Sequence, residues 1–351
     1  MKSVLYHLYT TSKGDKIMGK DKVLDIGVDV GNFDTKTQNT VIPSGFVAYT
    51  DAPYKAKECL FLNSRYYKPS QKRFPYVENK TENENMYVLT LLAIANEIIF
   101  WAEKEVARKT GAEKDKLEAS DIQAEIESIA AINLGMGVPL NHYSRYKKAY
   151  IEYYRDRMDK GVTYEYGGYK FNFTLNKIDC YPQDIAAVVT YKPKKVDSIV
   201  NAKKPTYYAV DIGGWTVDIV SIVNNEFDDK GTSKSLGVLA MYENIINEVD
   251  IQTGAKIEAI DIEDILRDDD SFVSEEVKKI VNDYARTWFD MIVNVMAQNK
   301  MLIDARPVLF IGGGSQLFKK YIKECGKFVK YEFIANPKAN ARGYAKLISR
   351  A

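Results

Sequence analysis

Histidine is almost missing from this sequence: its 351 residues contain two, His7 and His142. That excludes a multi-histidine metal centre and argues against a Ser-His-Asp nucleophile. The three cysteines, Cys59, Cys180 and Cys325, are odd in number, far apart and without metal-ligand spacing. Neither a disulfide framework nor a zinc site is written in them, and a reducing cytoplasm is the expected setting. A surplus of one charge is missing too. Lys and Arg number 49 against 48 Asp and Glu, a net +1, which with 14 Phe and 25 Tyr excludes a disordered tail and a basic nucleic-acid coat. The most apolar stretch, Met86 to Trp101, is interrupted by Asn96 and Glu97. It falls short of the ~20 residues that span a bilayer and reads as a core helix. Residues 1–20 lack the continuous apolar segment and cleavage site of a secretory signal. A Walker-type G-x-x-x-x-G-K-[ST] and a helix-opening G-x-G-x-x-G are also absent, which disfavours P-loop and Rossmann enzymes.

What is present is core material: 46% of residues are apolar, with 25 Tyr and 14 Phe. Single cores stop growing near ~250–300 residues, so two domains are expected. Apolar strand patterns run from Lys22 to Val30, Thr35 to Val41, Ile129 to Leu134, Tyr207 to Ile212, Thr216 to Val223 and Val308 to Ile311. Helical spacing appears in Met86–Thr110, Tyr143–Asp159, Val238–Asp250 and Ser274–Gln298. Strands alternating with helices place the chain in the α/β class. Gly135-Met136-Gly137-Val138-Pro139 reads as a turn or loop, and the lysine-rich stretch Tyr191 to Pro205, with two prolines, as a linker.

Two segments mirror one another. Asp29-Val30-Gly31-Asn32-Phe33-Asp34-Thr35-Lys36 and Asp211-Ile212-Gly213-Gly214-Trp215-Thr216-Val217-Asp218 each put a carboxylate at the end of an apolar strand, two residues before a glycine. Such a turn can bring successive backbone N–H groups to a phosphate oxygen. The aspartate would repel phosphate unless a hydrated Mg²⁺ lay between them. Either segment alone could be an ordinary Asp-Gly β-turn; their recurrence in two α/β halves favours phosphate. A third element, Val308 to Ile311 entering Gly312-Gly313-Gly314-Ser315 with a helix from Gln316, offers either a helix N-terminus for a nucleotide or a flexible connection.

In order and spacing these elements resemble the actin superfamily. The first hairpin carries Lys36 at its far end, Tyr181-Pro182-Gln183-Asp184 stands where the first connecting segment is found, and Gly312-Gly313-Gly314 is similar to the adenosine motif. Asn336 to Tyr344 is similar to the closing segment of ParM-type plasmid-segregation actins. The resemblance implies two actin-like (ribonuclease-H-like) domains flanking a nucleotide cleft, each with a mixed sheet and helices. Domain I would hold residues 22–200 plus 335–351, with a variable subdomain at 51–85; domain II would hold 201–334, and residues 1–21 would be an extension. It further implies ATP, or alternatively GTP, with Mg²⁺ held through water by Asp29 and Asp211. Gly31, Asn32, Phe33, Lys36, Gly213, Gly214, Trp215 and Gly312 to Ser315 would contact the nucleotide. Gln183, and less favoured Asp184, would orient the attacking water, although a loop glutamine beside Pro182 is the plain alternative. Lys36 could equally be a strand-edge surface lysine, and Asp218 could reinforce the second hairpin or cap its strand. The implied activity is a cytoplasmic ATPase that assembles head to tail into filaments and moves plasmid DNA through a DNA-binding adaptor, without direct nucleic-acid or membrane binding. Rivals are a small-molecule kinase of the same superfamily and a nucleotide-binding scaffold without turnover. The cluster Lys192, Lys194, Lys195, Lys203 and Lys204 reads as a solvated loop rather than a DNA contact.

Overall fold

Ile26 to Val30 are all buried, the pattern of a strand covered on both faces. In the computed structural model this run is the end of β1 (Lys22–Val30), an interior strand of the first lobe's sheet. The structure describes residues 21–74, 79–183, 185–191, 198–201, 206–224 and 226–351. Asp184, His7 and the lysines at 192, 194, 195, 203 and 204 lie outside them, as does most of the expected linker.

After β1 come β2 (Asp34–Thr37), β3 (Val41–Pro43), β4 (Phe46–Tyr49), β5 (Leu60–Leu62) and β6 (Arg65–Pro69). They are followed by α1 (Asn85–Thr110), α2 (Ala119–Glu127), β7 (Ile129–Val138), α3 (Leu140–Met158), β8 (Val162–Tyr166), β9 (Tyr169–Pro182) and α4 (Ile185–Thr190). The second lobe contains β10 (Thr206–Ile212), β11 (Val217–Val223), β12 (Glu226–Lys234), α5 (Val238–Thr253), α6 (Ala259–Arg267) and α7 (Glu275–Gln298). The chain ends with β13 (Val308–Ile311), α8 (Gly313–Leu317), α9 (Lys319–Glu324), β14 (Tyr331–Phe333) and α10 (Ala339–Ile348).

The two sheets repeat one topology. The first contains the order β3-β2-β1-β7-β9 and the second the order β12-β11-β10-β13-β14. In both, the first strand pairs antiparallel with the second and parallel with the fourth, and the fourth pairs parallel with the fifth. The internal recurrence read from Asp29 and Asp211 is therefore a repeat of the whole sheet. β9 is long because it serves two partners: residues from Thr174 on run parallel to β7, while Tyr169 to Phe173 pair antiparallel with β8. Through β8 the sheet continues into β5, β6 and β4, a small extension spanning part of the region read as a variable insert.

Helix α1 is long and apolar enough by composition to cross a membrane, but 67% of that apolar window is buried. It packs on β1, β2 and α2. Its buried Glu97 accepts hydrogen bonds from the Thr37 hydroxyl and from the backbone and side chain of Asn39, so it braces the β2–β3 turn. Gly111 closes the helix at φ 72°, the left-handed cap its sequence suggests.

One expectation is corrected. Gly135 to Val138 are not a loop but the last residues of strand β7. Their glycines serve packing: a Cβ on Gly135 would lie 2.6 Å from the Tyr344 carbonyl oxygen, and one on Gly137 would lie 2.0 Å from the Tyr344 hydroxyl oxygen. Helix α10, reached after the second sheet, thus lies directly on β1 and β7 of the first. It also packs against α4, whose Ala187 and Val188 join a cluster with Ala209, Val220 and Leu309 on one face of the second sheet.

Gly343 of α10 decides this crossing, since a Cβ there would meet the Ala186 carbonyl oxygen at 2.3 Å. In an exposed helix Gly→Ala stabilises by about 1 kcal/mol, whereas overpacking costs about 1–3 kcal/mol. Gly343→Ala is therefore expected to destabilise the protein by up to about 2 kcal/mol in urea unfolding. A stabilised variant would show that this contact is not tight.

Candidate functional site

Both hairpins open into one cavity of about 370 Å³ between the lobes. Register sets what each presents. On the first, Asp29 lies opposite Lys36; on the second, Asp211 lies opposite Asp218. The same strand position thus carries a counter-charge in one lobe and a second carboxylate in the other. All four line the cavity, with Gly31, Asn32, Phe33, Gly213, Gly214, Trp215, Gly312, Gly313, Gly314 and Gln183.

The first turn is held from behind by Ser44. Its hydroxyl donates to the Gly31 carbonyl at 2.5 Å, its N–H donates to the Phe33 carbonyl at 3.1 Å, and its hydroxyl is 2.9 Å from that of Thr35. Phe33 is clamped further by Arg73, whose guanidinium lies 4.0 Å from the ring centroid while Nε donates to the Phe33 carbonyl at 3.1 Å. The second turn is braced by the start of α5: the N–H groups of Val238 and Leu239 donate to the carbonyls of Gly213 and Gly214 at 3.1 and 2.8 Å. The turns face each other closely, for a Cβ on Gly214 would stand 3.5 Å from Phe33 Cβ.

The glycine run is more structured than its sequence implies. Gly312 caps α8 at φ 82°, and a Cβ there would collide with Asp211 Oδ1 at 2.1 Å. Glycine is needed both for the left-handed backbone and for room beside the carboxylate. The helix begins at Gly313, not at Gln316 as expected, because Gly313 and Gly314 form its first turn. Gly314 packs on Ile212 and Val238. Ser315 does not reach the cavity: it is fully buried, and its hydroxyl donates to the Gly312 carbonyl at 2.7 Å.

Gln183 reaches the first hairpin directly. Its Nε2 donates to Asp29 Oδ1 at 3.0 Å, and its backbone N–H is fixed to the Val138 carbonyl at 2.8 Å. Asp211 Oδ2 accepts from Asn340 at 3.4 Å, and Asp218 Oδ2 accepts from Thr216 at 2.8 Å. Asp29, Asp211 and Asp218 are 6%, 9% and 8% exposed. Burial raises the carboxyl pKa of Asp29, and nearby Asp211 adds to this against the pull of Lys36 and Lys80. Burial likewise pushes Asp218 up to about 6, with hydrogen bonds from Ser233 and Thr216 opposing.

This is a site short of positive charge. Its hard oxygen donors suit Mg²⁺, yet among the described residues no three acidic, histidine or cysteine side chains converge to hold an ion alone. The donor set fits a metal whose remaining ligands come from water and phosphate.

Several lining residues carried no sequence signal that singled them out. Lys80 is one lysine in a polar stretch, and His142 enters from the first turn of α3. From the second lobe Tyr242 donates to Glu263 Oε1 at 3.1 Å and Arg267 to Glu263 Oε2 at 3.0 Å, an array spread over α5 and α6.

Residues 209–324 match the family described as archaeal actin homologue MreB-like, C-terminal. No curated protein matches the chain. Among solved structures it is similar to an archaeal actin homologue, Ta0583, with a TM-score of 0.67 and 15% identity over 94% of this chain and 99% of that one. It is similar to ParM in a 15-stranded filament from Clostridium botulinum, with a TM-score of 0.64 and 17% identity over 95% and 100% of the two chains. It also resembles Bacillus thuringiensis ParM with ATP, with a TM-score of 0.58 and 15% identity over 94% and 99%.

The acid cluster predicts a pH dependence. A carboxyl whose folded pKa is raised favours folding while protonated, and that contribution is lost as pH rises through the folded value, here about 6. Asp218→Asn removes the burden while keeping an acceptor for Thr216. Nucleotide-free Asp218→Asn protein should melt a few degrees higher than wild type near pH 7.5 and by clearly less near pH 4.5, where only part of the penalty has built up. An equal difference at both pH values would contradict the assignment.

Proposed function

Taking the actin-superfamily fold as the premise, we propose that this protein is a nucleotide-dependent polymerising ATPase. The observation that carries the reading is the confrontation of Asp29 and Asp211, each at the end of the first strand of an equivalent hairpin, across one cavity. In this reading lobe I comprises residues 22–200 and 335–351, and lobe II residues 201–334. The backbone of Gly31 to Phe33 and of Gly213 to Trp215 faces the phosphates from opposite sides. Lys36 supplies a mobile positive charge, and Gly312 to Gly314 border the nucleoside, with Ser315 fixing Gly312 from behind. Asp29 and Asp211 would hold Mg²⁺ through water, and the ion would supply positive charge against the phosphates.

Gln183 orients the attacking water. Its amide nitrogen is committed to Asp29, which leaves the amide oxygen as the acceptor for a water. Phosphoryl transfer asks for positioning more than for a strong base, so an amide suffices. Asp218, opposite Asp211, strengthens the negative field of the second hairpin.

The ParM filament and the ATP-bound ParM structure support assembly and ATP as the nucleotide, with GTP the alternative. A head-to-tail contact that does not close generates an open filament. We place that filament in the cytoplasm, moving plasmid DNA through a DNA-binding adaptor, with no membrane or direct DNA contact by this chain.

Mg-ATP should raise light scattering of the purified protein above a critical concentration, and Asp29→Asn with Asp211→Asn should abolish the rise. Gln183→Ala should still assemble while phosphate release falls about 100-fold. Turnover only with a sugar or acid acceptor would instead identify a kinase, and nucleotide binding with neither assembly nor turnover a scaffold; either contradicts the proposal.

A further inference from the structure

Lys80 is a cation that the chemistry above leaves unused. It begins a 3-10 turn, Lys80–Glu82, just ahead of α1, stiffened by Asn79, whose Oδ1 accepts from Thr81 N and Oγ1 at 3.2 and 2.7 Å. The residue is only 9% exposed, yet it lines the cavity. Its ammonium donates to the carbonyl of Val30, next to Asp29. An ammonium has three N–H donors. The bond to Val30 is the one hydrogen bond the Lys80 ammonium makes among the described residues, and no ion pair neutralises it there. Burying a charge without a close partner is costly, and Asp29, the nearest opposing field, offsets only part of that cost.

Its place in the cavity indicates what completes it. Lys80 neighbours Asp29 and Cys180, on the side where Gln183 is bonded to Asp29. The Tyr242–Glu263–Arg267 array belongs to the other lobe. A nucleotide with its base towards that array and its phosphates between the hairpins would bring its last phosphate towards Lys80.

We propose that Lys80 is a direct ligand of the terminal phosphate, so that this site distinguishes a nucleoside triphosphate from a diphosphate. This rests on the nucleotide reading of the cleft. The competing explanation is that Lys80 only ties its turn to β1 through Val30.

Calorimetric titration with Mg²⁺ and either a non-hydrolysable ATP analogue or ADP separates the two. Lys80→Met should weaken the triphosphate about ten- to a hundredfold, the size of a charge-assisted hydrogen bond, and ADP by less than about threefold. Lys80→Arg should recover part of the triphosphate preference. Equal losses for both nucleotides, or no loss, overturn the proposal. Should Lys80→Met not fold, ¹⁵N NMR of the lysine ammonium groups in the wild-type chain decides: a Lys80 shift with the triphosphate alone supports the contact, and the same response to ADP refutes it. Wild-type protein that binds neither nucleotide would remove the cleft reading itself and this proposal with it. Nucleotide binding that is indifferent to Lys80 would remove this proposal alone.

Discussion

Three carboxylates withdrawn from water around one cavity set the terms for everything else in this molecule. Asp29 and Asp211 occur at the same place in two copies of one sheet, and Asp218 pairs with Asp211 across its hairpin. Burial, and the charge of Asp211 beside them, disfavour the ionised forms of Asp29 and Asp218. A fold that keeps them there holds an unsatisfied demand for cations. Lys36 and Lys80 answer part of it on one side only, so the second lobe is left more negative than the first. A metal-bound phosphate chain placed between the lobes would answer the rest, and would bind each lobe more strongly because the other is present.

That dependence requires the lobes to be held in a defined relation, which is the work of small residues. Helix α10 returns from the second sheet to lie on the first, at distances where Gly27, Gly135 and Gly137 admit no side chain. Near the start of this helix Asn340 reaches Asp211, while Lys338 and Arg342 donate to the carbonyls of Asn39 and Gln38 in the β2–β3 turn. The same turn is gripped by the buried Glu97 of α1. A short series of hydrogen bonds thus runs from the core of the first lobe, past its first hairpin, to the acid of the second.

Much of this was legible in the sequence where chemistry is local. The α/β class, the paired hairpins and the glycine run follow from strand periodicity and from where Asp and Gly fall. The end of β7, with Gly135 and Gly137, reads as a loop from sequence because glycine signals both flexibility and close approach, and only the tertiary position of Tyr344 separates them. Ser315 was grouped with its glycine neighbours, but the helix turns its hydroxyl back to Gly312. Lys80, Asn340 and the Tyr242–Glu263–Arg267 array are joined to the cavity by folding, across long sequence separations that spacing does not encode.

The central claim is that this cleft and a nucleotide build the metal site jointly. Isothermal calorimetry on the nucleotide-free protein tests it most directly, with Mg²⁺ alone, ATP in excess chelator, and Mg-ATP titrated in turn. The account predicts tight uptake of Mg-ATP, at least about tenfold weaker uptake of metal-free ATP, and no measurable heat from Mg²⁺ alone. ATP binding unaffected by chelator would contradict it.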